Sequence, residues 1–262
     1  MANAISGATT FPISRASYYF AGPDSPANRQ YPLFDVEGID SLGAIVGAPW
    51  SVFSNIYLGT PAVGVATYVV NAQAIAGAVN APLNASNESI VSGLNGGVKL
   101  VVMDVPRVLA YKSSNGGDTT QTVTSFGYDT YKMAMTETIT LNGTTVVNGL
   151  KAFKYVWKVH TSASMAGNLS VGSSGILGMP VAIDAGGLVG TMKVVSGVQS
   201  TDAGSFVFAD RTATATALTG DVRGTYAPAA TLNSATTGIY VQCFPAMGPH
   251  LKVTSTYGVQ QF

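Results

Sequence analysis

Residues able to do acid–base, nucleophilic or metal chemistry are few in this chain. It holds two histidines, His160 and His250, and a single cysteine, Cys243. Both histidines lie at predicted strand ends beside Thr, Ser or Lys, where a solvated or capping role is the common one. One cysteine and two distant histidines do not match the ligand spacing of a structural zinc site. We therefore predict no catalytic triad, no metal and no cofactor.

The carboxylates are spread singly over predicted turns and strand ends. They are Asp104, Asp118, Asp129, Glu137, Asp184, Asp202, Asp210 and Asp221. None follows the alternating Asp/Asn pattern of a calcium-binding loop, and a glycosidase pair drawn from distant strands stays open as an alternative. Gly172-Ser173-Ser174-Gly175 lacks the spacing of a nucleophile elbow, and the glycine-rich stretches at 93–97 and 172–178 match no phosphate-binding loop, so we interpret their glycines as turns. The prediction is a protein that is not an enzyme.

Two tryptophans and many tyrosines raise the question of a sugar-binding platform. Phe153, Tyr155 and Trp157 alternate along a predicted strand and so share one face by period two, which favours a core face over a lectin site. Trp50 follows Pro49 in an apolar segment and favours packing or an interface.

The composition indicates a surface with few charges. Charged residues are 10% of the chain, with 13 Lys+Arg against 13 Asp+Glu, where roughly a quarter is usual. Such a surface gives little colloidal protection, so we expect much of it to be covered by partner subunits. The balanced charge and the absence of a basic cluster argue against a nucleic-acid partner.

A membrane partner is not expected either. The stretch between Asp40 and Glu88 has no charge, but three prolines and several Asn and Gly residues break it into pieces shorter than the ~20 apolar residues of a spanning helix. The first residues lack the basic and apolar segments of a signal peptide, and the lone cysteine forms no internal disulfide. We expect assembly in a reducing cytoplasm.

Residues 1–40 are predicted to form an extended N-terminal arm. Pro12, Pro23, Pro26 and Pro32 are too closely spaced for a helix or a central strand. Six aromatic residues give the arm apolar anchors for a partner surface: Phe11, Tyr18, Tyr19, Phe20, Tyr31 and Phe34. With Trp50 they form the candidate interface, the alternative being that the arm packs on its own domain.

Residues 41–97 read as a small Ala/Gly-rich N-terminal part. Residues 62–70 favour a strand, 69–79 a short helix, and 84–94 a loop. Asn95-Gly96-Gly97 is a turn signal that marks a boundary with the β-branched segments that follow.

Residues 98–262 are predicted to be a β-rich sandwich module. Strand candidates cover 98–110, 119–128, 133–141, 152–160, 176–183, 188–195, 205–209, 212–218, 222–226, 238–244 and 251–257. Turn signals between them include Asn142-Gly143, Asn148-Gly149 and Gly220-Asp221. Closely spaced strands with such turns favour a mainly β fold, a β-sandwich of jelly-roll or immunoglobulin-like kind.

Several phrases in fixed order carry a resemblance to a known family. They are Val105-Pro106-Arg107-Val108, residues 136–143, residues 149–154, residues 167–172, Leu177-Gly178-Met179-Pro180 and residues 220–226. Through these phrases, the segment from about 105 to 226 resembles virion proteins of tailed bacteriophages, which are known as structural or capsid-associated proteins. The resemblance implies a β-sandwich module carried in many copies on a virion, and it brings no catalytic residues.

Two arginines within those phrases stand out. Because charge is rare in this chain, Arg107 and Arg223 are each expected to have a fixed carboxylate or carbonyl partner and are the candidate structural ion pairs. The alternative is a surface arginine that makes only weak pairs.

Together these observations predict a capsid decoration or cement protein. Its partners would be the major capsid protein and copies of itself, as a homotrimer or other cyclic oligomer, and its location the virion. A tail or head fibre module that binds a receptor is the first alternative, and a depolymerase or peptidase the second.

Overall fold

The structure, a computed structural model, describes residues 54–210, 220–243 and 260–261. This part of the chain is mainly β, which confirms the predicted fold class. The predicted arm with its aromatic residues Phe11, Tyr18, Tyr19, Phe20, Tyr31 and Phe34, together with Trp50, lies outside the described residues. So do His250 and the predicted strands at 212–218 and 251–257.

The strands of the described residues are β1 (Ser54–Gly59), β2 (Val70–Ala74), β3 (Glu88–Ser89), β4 (Leu100–Ser113), β5 (Thr122–Tyr128), β6 (Ala134–Thr140), β7 (Val147–Thr161), β8 (Asn168–Gly178), β9 (Leu188–Val195), β10 (Val198–Thr201), β11 (Ser205–Val207), β12 (Thr225–Ala227) and β13 (Thr237–Cys243). Two short 3-10 turns, Ala85–Asn87 and Asn95–Gly97, are the helical elements of the described ranges. No helix in these ranges has the length and apolar character needed to cross a membrane.

The larger of two sheets has nine strands and is built around the long strands β4, β7 and β8. Its order is β11-β12-β8-β4-β7-β5-β6, with β2 added beside β8 and β3 beside β4. In β5 buried and half-buried positions alternate, the period expected of a strand with one face on a core. The first hydrophobic core lies against this sheet and includes Tyr111, Phe153 and Val171.

The smaller sheet has the order β1-β13-β9-β10, all antiparallel. Its inner side contributes Ile239, Val241 and Cys243 to a second core, which also contains Leu177 of β8 and Tyr226 of β12. Because one core receives side chains from both sheets, the arrangement is compatible with the predicted sandwich, with unequal sheets.

Residues 54–97 share sheets with the residues that follow them. Strand β1 pairs with β13, β2 with β8 and β3 with β4. The predicted strand at 62–70 and short helix at 69–79 are wrong, since the strands here are β1 and β2. The turn at Asn95–Gly97 is present, but the segments on its two sides pack together.

The stretch 172–175, interpreted from the sequence as a turn, belongs to strand β8. The amide of Val69 donates to the carbonyl of Val171, and the amide of Ser173 donates to the carbonyl of Val65. A Cβ at Gly172 would overlap the backbone of Val65 and Ala66. The small residues therefore let an irregular segment lie directly on the strand, a use of glycine that local turn signals do not reveal.

Strand β7 corrects two further predictions. Asn148-Gly149 is not a turn but lies inside the strand. The register shifts where Phe126 pairs with Lys158 and Gly127 with Val156, so the strand bulges at Trp157. Tyr155 and Trp157 are only half-buried while Phe153 is fully buried, so the predicted common core face is wrong.

Strand β4 contains a bulge that reorients one of the two predicted arginines. Val102 pairs with Tyr155 and Arg107 with Phe153, so β4 has extra residues between these pairs. Pro106 lies in this bulge, where a residue without an amide hydrogen is tolerated. The bulge places Arg107 in the interior, where it is 1% exposed.

Candidate functional site: two buried charge groups and an uncharged sheet face

Arg107 is the centre of a hydrogen-bonded group, here named the Arg107 clamp, made of Arg107, Asp104, Ala62 and Ser174. The guanidinium meets the Asp104 carboxylate side-on, with Nε 2.6 Å from Oδ1 and Nη2 2.7 Å from Oδ2. Nη1 donates to the carbonyl of Ser174 at 2.8 Å, and Nη2 donates to that of Ala62 at 2.6 Å. The clamp thus joins β4, β8 and the segment that covers β8.

The carboxylate of this clamp is held ionised. Burial alone would raise the pKa of Asp104, but hydrogen bonds from Arg107 and from the Ala62 amide outweigh burial and leave the pKa below its ordinary value. Both carboxylate oxygens accept hydrogen bonds from the buried cation, the geometry in which an ion pair offsets its own desolvation.

Arg223 lies in a second buried group, here named the Glu137 cluster: Asp129, Glu137, Lys151, Asp221, Arg223 and Gln261. Its Nη2 lies 2.7 Å from Asp129 Oδ2, and its guanidinium carbon lies 5.3 Å from the centroid of the Tyr131 ring. Its Nε and Nη1 have no hydrogen-bond partner in the described part of the chain. Arg223 is therefore paired less completely than Arg107, although both are buried.

Glu137 is the most perturbed carboxylate of this cluster. Its Oε1 accepts from the amides of Leu150 and Lys151, at 3.0 and 2.7 Å, while Oε2 has no hydrogen-bond partner among the described residues. Burial raises the pKa of Glu137 to about 7, against the lowering effect of the two amides and of the Lys151 charge. A Cβ at Gly149 would overlap this carboxylate, so glycine in mid-strand makes room for it.

The other residues of the Glu137 cluster connect distant parts of the chain to β7 and to each other. Burial lowers the pKa of Lys151 and raises the pKa of Asp221, whose Oδ2 accepts from the amide of Ala152 at 2.9 Å. Gln261 is fully buried, and its side-chain oxygen accepts from the amide of Val222 at 3.1 Å. Its backbone pairs with strand β6 at Met135. A residue near the end of the sequence is thus part of the interior.

Other carboxylates that the sequence places on turns are also buried. Asp118 accepts from the amides of Ala166 and Gly167 and from the hydroxyl of Ser113. Asp202 accepts from the hydroxyl of Tyr226, and burial raises the pKa of that tyrosine to about 12. These carboxylates accept hydrogen bonds from the backbone of loops rather than facing solvent. The sequence placed them singly on turns and did not reveal this structural role.

The side chains of His160 and Cys243 lie in separate parts of the structure. His160 Nδ1 lies 3.0 Å from Asn80 Oδ1, and Cys243 is buried in the second core, where burial raises its thiol pKa to about 12. Within residues 54–210, 220–243 and 260–261, no three His, Cys, Asp or Glu side chains lie together as a metal site would require. Of the charged side chains in the two groups, Asp104 is 38% exposed and the others are buried. Their hydrogen bonds join strands and loops of the fold.

The outer side of the small sheet, away from the second core, forms a surface here named the outer face. The rows of cross-strand neighbours that share this side are Tyr57, Tyr240, Met192 and Thr201, then Asn55, Gln242 and Gly190, then Gly238, Val194 and Gln199. None of these ten residues is charged. The inner neighbours Ile239, Val241 and Cys243 are buried in the second core, so the alternation of the strands assigns the two sides.

The outer face combines an aromatic pair with a shallow groove. Tyr57, which is 53% exposed, stacks on Tyr240 with ring centroids 4.6 Å apart. Beside this pair lies a groove of about 420 Å³ lined by Val189, Gly190, Thr191, Met192, Gln199, Ser200, Thr201 and Gln242. Sequence reasoning missed this face because its members come from four strands with no shared local motif.

Comparison with protein-family models, with curated proteins and with solved structures gave no match.

Proposed function

We propose that this protein is a non-enzymatic structural protein of a virion, which decorates or cements the capsid of a tailed bacteriophage and is assembled in the host cytoplasm. The resemblance of residues 105–226 to such virion proteins supports the proposal. Its partners are the major capsid protein and further copies of the chain, arranged as a trimer or another cyclic oligomer.

The observation that carries the proposal is the segment 54–87, which contains no charged residue and, from residue 65 onward, lies along the large sheet. It exposes three valine side chains, Val63 at 59%, Val65 at 45% and Val79 at 42%. An uncharged aliphatic surface that remains exposed is typical of a surface that a partner covers. We assign this segment, with residues 1–53 before it, to contact with the shell.

Contact of this kind acts mechanically. Burying apolar surface between capsomers adds association free energy, and many weakly bound copies act together on one particle through avidity. The buried Arg107 clamp supports this role because it fixes the covering segment to β4 and β8.

The copy number of the protein in purified virions tests the assignment. Quantitative mass spectrometry is expected to give a number comparable with that of the major capsid protein. A number as low as that of tail components would reject decoration and favour the second candidate, a fibre or receptor-binding module. That candidate is supported by the exposed Tyr57–Tyr240 pair.

The attachment surface is tested by the double variant Val63→Lys, Val65→Lys. Each buried valine contributes roughly 1.5 to 3 kcal/mol to association, so occupancy on undecorated capsids should fall more than tenfold while the thermal unfolding temperature stays unchanged. Val207→Lys, at an equally exposed valine on β11, is the matched control and should bind as wild type does. Equal occupancy of all three proteins would reject this surface.

Self-association has a separate test. Sedimentation of the purified protein is expected to show a closed oligomer at micromolar concentration, and a clean soluble monomer would contradict that part of the proposal.

A further inference from the structure

Four polar side chains of the outer face have no hydrogen-bond partner among the described residues. Asn55, Gln199, Thr201 and Gln242 make no side-chain hydrogen bond in the described part of the chain, either with one another or with the backbone. Gln242 is nevertheless half-buried at the floor of the groove, where its amide has lost part of its access to water. An amide in this position gains from a ligand that both donates and accepts hydrogen bonds.

The charge, the aromatic residues and the size of the outer face limit the classes of ligand that it can bind. With no charged side chain on it, the face offers no counter-ion to a phosphate, a sulfate or an amine. Tyr57 and Tyr240 present aromatic surface whose negative ring face attracts polarised C–H groups. The groove volume of about 420 Å³ lies within the range of small-molecule sites, which is roughly 300 to 1,000 Å³.

We propose that the outer face of the small sheet binds a neutral oligosaccharide. Sugar hydroxyls act as donors and acceptors at once, which matches three side-chain amides and one hydroxyl, and the apolar faces of pyranose rings match the tyrosine pair and Met192.

Gly190 shapes the groove. It lies on β9 opposite Gln242, beyond the last residue of β9 that pairs with β10, and an added Cβ there would meet only the Gln242 side-chain oxygen, at 3.7 Å. Glycine at this point is therefore not required by packing, and its absent side chain leaves the groove open. A large residue at position 190 should fill the groove without disturbing the core below it.

The inference goes beyond attachment to a capsid and holds for either virion location. Capsid occupancy is measured at Val63 and Val65, whereas sugar binding is measured on the isolated protein at other residues. Either proposal can fail while the other stands.

The experiment titrates the purified full chain with maltotriose, cellotriose and chitotriose, followed by calorimetry and by saturation-transfer NMR. At least one of these neutral sugars is expected to bind with millimolar affinity. Gln242→Ala and Tyr57→Ala should each weaken binding about fivefold or more, and Gly190→Trp should abolish it. Asn71→Ala, at an exposed asparagine on β2, is the matched control and should bind as wild type does.

Three results would overturn the proposal. One is the absence of binding for all three sugars up to about 10 mM, well beyond the expected affinity. Another is undiminished binding in Gly190→Trp and Gln242→Ala, each with a wild-type unfolding temperature. The third is an oligomer that dissociates on Gly190→Trp substitution, which would make the outer face a contact between copies. Gln242→Ala removes only a half-buried side chain, so it keeps the test valid should the tryptophan variant fail to fold.

Discussion

Arg107 of the clamp and Arg223 of the Glu137 cluster are both buried, but they are bonded in different ways. In the clamp, all three guanidinium nitrogens of Arg107 have partners, and the carboxylate pKa is lowered. In the cluster, two nitrogens of Arg223 and one oxygen of Glu137 have no hydrogen-bond partner among the described residues, and the pKa of Glu137 is raised to about 7.

The difference shows that burial of charge has no fixed energetic sign. A cation with every nitrogen bonded offsets much of the loss of water, whereas a cation with unbonded nitrogens leaves more of that loss uncompensated. We therefore expect the clamp to contribute more to stability than the Arg223 pair does, and we expect the cluster to make stability depend on pH.

Arg107→Met is the substitution with the largest expected effect. It leaves two carbonyls without donors, whereas Asp104 is 38% exposed and regains water, so the free energy of unfolding should fall by about 2 to 4 kcal/mol, mainly through the carbonyls. Urea denaturation followed by circular dichroism measures this quantity.

Lys112→Met is the control for that measurement, because Lys112 is half-buried on the same strand and forms no ion pair among the described residues. It should change stability by less than about 1 kcal/mol. If the two variants lose equal stability, the clamp is not the stabilising contact described above.

Glu137→Gln should change how stability depends on pH. Because the folded-state pKa of about 7 lies above the ordinary 4.5, the folded protein retains this proton between those values, and stability falls as pH rises through that window. Glutamine does not titrate. The difference in unfolding free energy between the variant and wild type should therefore move by about 3 kcal/mol in favour of the variant between pH 4 and pH 9.

Urea denaturation of both proteins at several pH values measures that difference. A difference that stays constant across the range would show that Glu137 titrates normally. Lys151 and Asp221 titrate nearby and are present in both proteins, so the comparison measures Glu137 together with its coupling to these two groups.

Arg223→Met sharpens the contrast between the two arginines. Two of its nitrogens have no bond to lose, and the buried Asp129 carboxylate that is left behind keeps hydrogen bonds from the amides of Tyr131 and Met133. The expected decrease in unfolding free energy is therefore about 1 to 3 kcal/mol, less than for Arg107→Met. Denaturation under the same conditions as for Arg107→Met gives the ranking. A loss equal to or larger than that of Arg107→Met would invalidate the comparison.

His160→Ala has the smallest expected effect. The histidine bonds Asn80 at an exposed site, and a hydrogen bond of this kind contributes about 1 kcal/mol or less. A loss above about 2 kcal/mol would give His160 a structural role that the contact with Asn80 does not explain.

Local sequence signals predicted those strands well that depend only on neighbouring residues. The alternating segment 188–195 coincides with β9, and 133–141 contains β6 with one residue to spare at each end. The rarity of charge also predicted a fixed partner for each of Arg107 and Arg223. Period and composition suffice in these places because each depends only on neighbouring residues.

The sequence could not reveal features that depend on distant residues. Gly172 and Gly149 resemble turn glycines, yet each lies in a strand and makes room for a group far away in sequence, the 64–66 segment or Glu137. Arg223 and Asp129 are 94 positions apart, and Gln261 reaches Asp221 across 40. The register of the long strands brings these groups together, and no local pattern encodes that register.

The pairing of β1 with β13 has a consequence for synthesis. Ser54 pairs with Cys243, so the small sheet joins one of the first described segments to one of the last, whereas β4, β5, β6 and β7 follow one another closely along the chain. On the ribosome, the central strands of the large sheet have their partners well before β1 has its own. Until residue 243 emerges, the apolar inner side of β1 lacks its partner strand, and a stalled or truncated chain exposes it to aggregation.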